Sequence, residues 1–326
     1  MHYYRKLKKI IAQGEVRVSL LEENKNIEGF FFEKEGKTQI FRGEPVRVTE
    51  NNGEKQTLAN TLKVQEKNKE KIFIFLGQVK VIEKESIISA EKLTYHDQEK
   101  KAFLEDNAKI EKPLQEIVLE SQKLVYDEKN KKAFFETPVK IQKKDALITG
   151  NKGEYNEKDD LITLTGQVLY HEKNKNRLIK ANKLDTIKEK EEKVFVFKDQ
   201  IEITDGDFLG SCHELDYLEK KEIMTLKGDA KLKDVKKELE IESNAISFDQ
   251  KKDQIYFLGR VVIVQKDKTI AGNMGVYDKK TSSIVVQGSP YYRKGLDSAR
   301  AERIILNTDT NEVQMIGNFQ GSFGPN

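Results

Sequence analysis

Four histidines and one cysteine are the side chains of this sequence best suited to metal binding or nucleophilic catalysis. No two histidines stand at the spacing of a metal motif such as H-x-x-x-H. His96 follows Tyr95 and His171 follows Tyr170, each near a predicted strand end, which favours solvated turn positions over metal ligands. The remaining two histidines are His2 and His213.

Cys212 stands beside His213, an arrangement that would suit a thiol nucleophile. It lies on a predicted strand with the same alternating pattern as its neighbours, which favours an inert, partly buried thiol. Because it is the only cysteine, an intrachain disulfide and a thiol-rich metal site are both excluded. The glycines match neither G-x-G-x-x-G nor the phosphate-binding loop. We therefore predict no enzyme activity, no cofactor and no metal.

A row of aspartates follows the aromatic residue of successive segments and invites a calcium or acid–base interpretation. Aspartate is also a favoured first residue of a type I turn. No second row of carboxylates has the regular spacing that a paired site needs. The pattern therefore favours turns, and the aspartates concerned are Asp97, Asp127, Asp249 and Asp278.

A repeat of about thirty residues underlies these positions. A small or polar residue recurs inside an apolar segment at intervals of 29 to 33 residues. A second, mostly aromatic position follows 18 to 20 residues later, as Tyr95 follows Gly77. Such a period indicates a repeat architecture. The first series is Gly77, Asp106, Thr137, Gly166, Asp199, Gly228, Gly259, Gly288 and Gly317.

Each repeat reads as two strands and two polar turns, because apolar residues alternate with period two and no helical period persists. About ten units would give roughly twenty strands of ~10–12 residues, longer than the usual strand. A glycine within a strand marks a bend or bulge. We therefore predict an all-β protein whose sheet folds over along the line of small residues.

One face of the predicted sheet is apolar and the other is charged. When the sheet folds over, two apolar halves meet, about 10 Å apart if they close. If the two half-sheets stay apart, they form a continuous groove suited to acyl chains. If they pack against each other, they form a closed core. The residues predicted to line this interior are Phe73, Phe75, Val79, Val81, Ile162, Leu164, Val168, Tyr170, Phe195, Phe197, Ile201, Ile203, Leu226, Leu232, Phe257, Val261, Ile263 and Val286.

The composition is consistent with a thin apolar interior and a charged, solvent-exposed outer face. Hydrophobic residues make up 37% of the chain and charged residues 35%, with a net charge of only +3. The charges alternate in sign, so no basic patch for nucleic acid is expected. No stretch reaches the roughly 18–20 apolar residues of a membrane helix. We divide the chain into a basic N-terminal segment, 1–13, as a possible signal remnant, and one repeat domain, 14–326.

The repeated motif resembles the OstA-like family of periplasmic lipopolysaccharide-transport proteins, which includes LptA, the periplasmic part of LptC and the N-terminal part of LptD. The resemblance rests on Gly-x-Val-x-Val at Gly77–Val81 and on Ala-Glu-x-Leu-x-Tyr-x-Asp at Ala90–Asp97. It covers the chain from about Gly14 to Phe319, and repetition supplies its specificity. It implies an elongated, bent antiparallel β-jellyroll, the "β-taco", whose interior holds acyl chains.

The resemblance also implies a function and partners. The expected function is transport of lipopolysaccharide or another glycolipid across the periplasm, bridging the inner and outer membranes. Open sheet edges near Gly14–Val18 and Val313–Phe319 would pair with related β-jellyroll proteins of the two membranes or, head to tail, with further copies. The alternatives are an envelope scaffold or adhesin with a closed core and no lipid, and a carbohydrate-active β-solenoid enzyme.

Overall fold

The computed structural model describes residues 1–4, 9–21, 24–50, 53–68, 70–190 and 192–324. Residues 5–8, part of the basic N-terminal segment, lie outside the described residues. The chain divides into two compact units, Met1–Ile162 and Thr163–Asn326. The assignment of 14–326 to one domain stays a prediction. Within the described segments, no helix has the length and apolar character needed to cross a lipid bilayer.

The first unit consists of antiparallel strands joined by short turns, with one 3-10 turn at Pro113–Gln115. The strands are β1 (His2–Tyr4), β2 (Lys9–Leu20), β3 (Lys25–Glu35), β4 (Thr38–Glu50), β5 (Lys55–Lys67), β6 (Glu70–Ile82), β7 (Ile87–His96), β8 (Lys101–Lys112), β9 (Ile117–Asp127), β10 (Lys132–Phe135), β11 (Val139–Lys143), β12 (Ala146–Gly150) and β13 (Lys152–Asn156).

The second unit has the same construction, and β14 begins two residues before it. A 3-10 turn lies at Lys173–Lys175. The strands are β14 (Leu161–Glu172), β15 (Arg177–Glu189), β16 (Glu192–Asp205), β17 (Phe208–Leu218), β18 (Ile223–Asp234), β19 (Leu239–Asp249), β20 (Gln254–Gln265), β21 (Lys268–Asp278), β22 (Ser283–Gln287), β23 (Tyr291–Lys294), β24 (Asp297–Arg300), β25 (Arg303–Asn307), β26 (Val313–Ile316) and β27 (Gln320–Ser322).

Strand pairing follows chain order. In the first unit each strand from β1 to β9 pairs antiparallel with the next. Both β10 and β11 pair with β9, so together they occupy the place of one long strand. Pro138 follows Thr137 at the interruption, and a proline has no N–H for the ladder. Such interruptions explain why the described residues form 27 strands and not about twenty.

The second unit repeats this arrangement. Strands β14 to β21 pair consecutively. Strand β21 then pairs with both β22 and β23, which continue to β25 and β24, respectively. The prediction of an all-β, antiparallel jellyroll with long strands is confirmed.

Within the long strands, the small residues of the repeat begin two-residue bulges, whereas Gly288 and Gly317 lie between short strands. Gly77 and Gln78 have left-handed φ angles of 73° and 50°. The register of β6 against β7 shifts between Leu76 and Val79, and such a bulge bends the strand. Eight members of the small-residue series have a positive φ: Gly77, Asp106, Gly166, Asp199, Gly228, Gly259, Gly288 and Gly317.

Thr137 departs from this series, because its φ is not positive. Its position between β10 and β11 is held by side-chain contacts. The Oγ1 of Thr137 accepts a hydrogen bond from the backbone N–H of Lys123 at 3.1 Å and lies 2.8 Å from Oγ of Ser121. A side chain thus replaces the backbone bulge at this one step.

The bulge preserves the apolar face on both sides of the bend. Phe73 and Phe75 precede the bulge of β6, Val79 and Val81 follow it, and all four are buried. Phe75 and Val79 are four residues apart, an even number, so the period-two phase of β6 is unchanged across the bulge. The two halves of each strand therefore offer apolar side chains to one interior.

Candidate functional site

A narrow slot lies between the two half-sheets of the first unit. Phe73 and Phe75, before the bulge of β6, line one side, whereas Val81 and Ile88 line the other. The remaining cavity measures only about 40 Å³. Ligand pockets span roughly 300–1,000 Å³, so the slot as it stands holds at most a few water molecules. Room for an acyl chain requires the two halves to move apart.

The interior of the second unit is filled by aromatic rings from both half-sheets. Tyr170 follows the bulge of β14, whereas Phe195 and Phe197 precede the bulge of β16. The ring of Tyr170 lies 5.5 Å from that of Phe195 and 5.8 Å from that of Phe197. Tyr217 adds a further ring 6.1 Å from Tyr170. These contacts show that the halves face each other here too.

All the residues predicted to line the interior are buried. Val79 in the first unit and Val168 and Val261 in the second each follow a bulge pair directly and so lie beside the bend of their own strand. Burial alone does not distinguish contact with a lipid from packing in a core. The assignment of these residues to a lipid groove therefore stays a prediction.

Opposite the bend, where the strand ends meet, lies the edge that we call the mouth of the slot. Lys55 opens β5 on one side of the mouth, and Glu128 follows β9 on the other. The Nζ of Lys55 lies 2.9 Å from Oε1 of Glu128. The hydroxyl of Tyr95, at the end of β7, donates a hydrogen bond to Oε2 of the same glutamate at 2.6 Å. Glu128 thereby joins the two half-sheets.

The same trio, which we call a mouth triad, recurs along the first unit. In the second triad, Lys112 lies 2.8 Å from Glu157, whose other carboxylate oxygen accepts from Tyr126 at 2.6 Å.

A third triad lies close by. Lys143 is 3.0 Å from Asp160, and the hydroxyl of Tyr155 donates to Asp160 at 3.3 Å. Each triad takes its lysine from one side of the mouth and its carboxylate and tyrosine from the other.

In the described part of the second unit, two variants of the triad are found. Lys175 contacts Glu222 at 2.9 Å and donates to the hydroxyl of Tyr217 at 3.4 Å. Lys237 contacts Asp309 at 2.8 Å and donates to the hydroxyl of Tyr277 at 2.9 Å. Polar contacts of one type therefore close the mouth of both units.

Electrostatics favour the ionised forms of Glu128, Glu157 and Lys55. Burial alone would raise the pKa of Glu128, but the charge of Lys55 and the hydrogen bond from Tyr95 outweigh burial and lower it. Burial would likewise raise the pKa of Glu157, but the hydrogen bonds from Lys112 and Tyr126 outweigh burial and lower it. For Lys55, burial is outweighed by Glu128 and other carboxylates, and the pKa is raised.

Among the described residues, three cations lie almost entirely inside the units: Lys25, Lys112 and Arg177. The side chain of Arg177 is 0% exposed, lies 3.1 Å from both Glu172 and Asp205, and has its guanidinium 4.9 Å from the ring of Tyr217. The interior is therefore amphipathic in cross-section, apolar at the bend and charged at the mouth.

The mouth lysines were not predicted from the sequence. Lys55, Lys112, Lys143, Lys175 and Lys237 are separated by 57, 31, 32 and 62 residues, close to one or two repeats. Their period was a usable signal. It was hidden by the many other lysines of a chain in which charged residues make up 35%.

The residues considered for chemistry are mostly structural. Cys212 is buried, and burial raises the pKa of its thiol to about 12, as expected for an inert cysteine. The turn prediction is confirmed, because Asp97 is the first residue of the turn at 97–100 and the other three aspartates accept hydrogen bonds from turn residues. Asp127, Asp249 and Asp278 each accept a backbone N–H two or three residues later, at 2.9, 3.2 and 3.0 Å.

The prediction that His96 is a solvated turn residue is wrong. His96 is the last residue of β7, is half-buried, and has Nδ1 3.3 Å from Oε1 of Glu70. Glu99, in the turn that follows, completes a cluster whose potential ligand atoms all lie within 4.8 Å of one another. Sequence spacing could not reveal this cluster, because Glu70 lies on a neighbouring strand.

Family comparisons point to one transport system. A model described as "LptA/(LptD N-terminal domain) LPS transport protein" matches residues 119–240 and 240–322, well over half of the chain. A second, described as "Lipopolysaccharide-assembly, LptC-related", matches residues 25–172.

Among solved structures, the chain is similar to LptH, the LptA homologous periplasmic component of the conserved lipopolysaccharide transport device from Pseudomonas aeruginosa. The identity is 12%, the match covers 36% of this chain and 95% of that one, and the TM-score is 0.34. No curated protein sequence matches the chain significantly.

Proposed function

The chain belongs to the LptA/(LptD N-terminal domain) family of LPS transport proteins, and we propose that it carries lipopolysaccharide, or another glycolipid, through the slots between its half-sheets. The observation that supports this most is the amphipathic cross-section of the slot in the first unit. Phe73 and Phe75 give it an apolar wall, and Lys55 and Glu128 give it a charged mouth. An amphiphile has the same distribution, with acyl chains and a polar head group.

Apolar contact would supply the holding energy. Each CH₂ group removed from water contributes about 0.8 kcal/mol. Because similar side chains recur along the strands, no single position would hold the lipid more tightly than the next. A non-enzymatic carrier of this kind lets the acyl chains slide, as transport requires.

Loading requires the slot to widen, and the mouth is the side that can open. The bend is formed by continuous backbone, whereas the mouth is closed by side-chain contacts such as Lys55–Glu128. Partly exposed ion pairs contribute little each, of the order of 1 kcal/mol. We infer that a lipid enters by separating the mouth triads, with its head group remaining outside.

Open sheet edges would connect the protein to partners in the periplasm. Among the described residues, β26 pairs only with β25. Ile316, Phe319 and Phe323 lie exposed at this end. Addition of a strand from another copy, or from a related jellyroll protein at the inner or outer membrane, would cover these groups and extend the path between the membranes.

Photo-crosslinking tests the lipid-carrier proposal. A photoreactive amino acid at Val79, Val168 or Val261 should trap lipid when the protein is expressed in envelope-containing cells. The matched control places the same group at Lys80, an exposed residue on the outer face of β6. Lipid adducts at the three valines and none at Lys80 are expected. Adducts to protein alone at all three valines would sink the proposal.

An envelope scaffold with a closed core is the second candidate. The small cavity, about 40 Å³, favours it, because it resembles ordinary core packing. The same experiment separates the two candidates. A closed scaffold gives no lipid adduct at Val79 even when lipid is abundant.

A further inference from the structure

Glu70, His96 and Glu99 come together from three places in the chain at one rim of the first unit. Glu70 opens β6, His96 ends β7, and Glu99 lies in the turn between β7 and β8. The strands hold the first two in register, because Ile72 pairs with His96. A hydrogen bond from the backbone N–H of Asp97 to the carbonyl of Lys71 ties the turn to β6.

Two polar atoms of this cluster lack hydrogen-bond partners. Oε1 of Glu70 and Nδ1 of His96 are buried from solvent, and neither has a hydrogen bond among the described residues. Their separation is nevertheless 3.3 Å. A buried polar atom without a partner carries a desolvation cost of about 1–3 kcal/mol. An ion placed between these two atoms would remove that cost from both.

The geometry fits a small tetrahedral cation. Zinc binds histidine nitrogen and carboxylate oxygen at about 2.0–2.2 Å, so two of its ligand atoms lie about 3.3–3.5 Å apart. The observed 3.3 Å between Glu70 and His96 meets this requirement without movement. The ring of Phe103 packs edge-on against His96, with centroids 5.3 Å apart, and restricts the orientation of the imidazole.

Glu99 needs a small movement to complete the set. The potential ligand atoms of the cluster lie within 4.8 Å of one another. This limit exceeds the separation of about 3.3–3.5 Å between two ligand atoms of a tetrahedral zinc ion. Glu99 is exposed in a turn, so its side chain can rotate. Oε2 of Glu99 now lies 3.4 Å from Nζ of Lys101, with both side chains at least 40% exposed. An exposed ion pair of this type is weak and would yield to a divalent ion.

We propose that Glu70, His96 and Glu99 form a binding site for a divalent transition-metal ion, with zinc as the best fit. One histidine and two carboxylates supply three ligands, and water supplies the fourth, as in zinc sites that keep an open position. The ion would join the start of β6 to the β7–β8 turn and stiffen the rim beside Tyr95. The site is independent of lipid transport, because its ligands lie outside the interior slot.

Calorimetric titration of the metal-free full-length protein with zinc chloride tests the site. We expect saturable binding, with His96→Gln and Glu99→Gln each lowering the affinity at least about tenfold. Glu99 is exposed, so its variant keeps the fold. His171→Gln is the matched control, because His171 also follows a tyrosine near a strand end. It should bind as the wild type does.

Thermal unfolding gives a second readout. Zinc should raise the unfolding temperature of the wild type and of His171→Gln, because a ligand that binds only the folded state stabilises it. It should leave that of His96→Gln unchanged. The proposal is overturned if the wild type shows no saturable binding, or if His96→Gln and Glu99→Gln both retain wild-type affinity.

Discussion

Lys25, Lys112 and Arg177 each have a carboxylate and an aromatic ring beside their buried cationic group. Lys25 lies 2.5 Å from Glu50 and 5.1 Å from the centre of the Phe73 ring. A buried charge is tolerated only when paired, and a desolvated ring face adds further attraction. These cations thus fix polar positions within a mainly apolar interior.

Arg177 provides a stability prediction at the residue scale. Arg177→Gln leaves Glu172 and Asp205 without their shared cation, and we expect a loss of about 3–5 kcal/mol in the free energy of unfolding. Chemical denaturation measures it. The control Arg260→Gln removes an arginine that is 78% exposed beside Asp229 and should have little effect. Equal effects of both changes would contradict this account of Arg177.

Cys212 provides a reactivity prediction. Because burial raises the pKa of its thiol to about 12, roughly one thiol in 10,000 is ionised at pH 8. The folded protein should therefore react very slowly with a thiol-specific disulfide reagent. The denatured protein should react completely and serves as the control. Rapid reaction of the folded protein would show that the thiol is accessible.

At the scale of elements, the two-residue bulge is the unit that shapes the sheet. In strands such as β6, left-handed φ angles at two successive residues, Gly77 and Gln78, bend the strand while keeping its apolar phase. Glycine adopts this conformation without strain, and asparagine or aspartate at low cost. That preference explains why the first bulge position is either glycine or aspartate, and not always the same residue type.

Gly77 tests the bulge. A Cβ at Gly77 would meet Nδ2 of Asn60 at 2.8 Å in addition to the strain of a φ of +73°. Gly36 has a φ of +56° but nothing within 4 Å of the same position. Gly77→Ala should therefore destabilise by about 1–3 kcal/mol and by more than Gly36→Ala. Thermal or chemical unfolding of both variants measures the difference, and a larger loss for Gly36→Ala would refute the argument.

Glu128 tests the mouth. Glu128→Gln removes the charge between Lys55 and Tyr95, and we expect a loss of about 1–2 kcal/mol in stability and greater uptake of a fluorescent fatty acid. Glu202→Gln is the control, because Glu202 pairs with Lys180 on the exposed surface. Unchanged uptake by Glu128→Gln would contradict opening at the mouth.

The same contacts predict a pH dependence. The pKa of Glu128 and that of Glu157 are lowered from 4.5 in the folded protein, so the unfolded state binds protons more readily. Their stabilisation is present above pH 4.5 and is lost as the pH falls through the lowered values. The pKa of Lys55 is raised from 10.5, so its contribution is lost only above that pH. Fatty-acid uptake should therefore increase on acidification below pH 4.5, and less so in Glu128→Gln.

At the scale of the whole molecule, the sheet edges decide whether copies can associate. In the first unit, β2 beyond Ile11 pairs only with β3 among the described residues. In the second unit, β26 and β27 each have one described partner. Unpaired backbone groups at such edges favour addition of another strand.

Proline substitution tests this edge. Met315→Pro and Phe319→Pro should reduce self-association and partner binding, because proline prevents strand pairing. Leu209→Ser is the control, since it removes an exposed apolar side chain from β17, which has a neighbour on each side. Sedimentation velocity measures self-association. If both proline variants associate as the wild type does, strand addition at this edge is ruled out.

The sequence by itself determined the strand repeat, the position of the bends and the buried face. Period-two alternation fixes which side chains share a face, and the recurring glycine or aspartate marks the first residue of each bulge. Gly77, Val79 and Phe75 could therefore be placed from local pattern alone, as could the aspartate turns.

Tertiary structure alone decided which strand ends meet across the mouth and how tightly the interior closes. Lys55 and Glu128 are 73 residues apart, and their contact depends on the folding of the whole sheet. Pairing between distant segments depends on bend angle and side-chain volume, neither of which appears in a local pattern. The sequence therefore predicts an apolar interior, but the structure shows that contacts between charged side chains close its mouth.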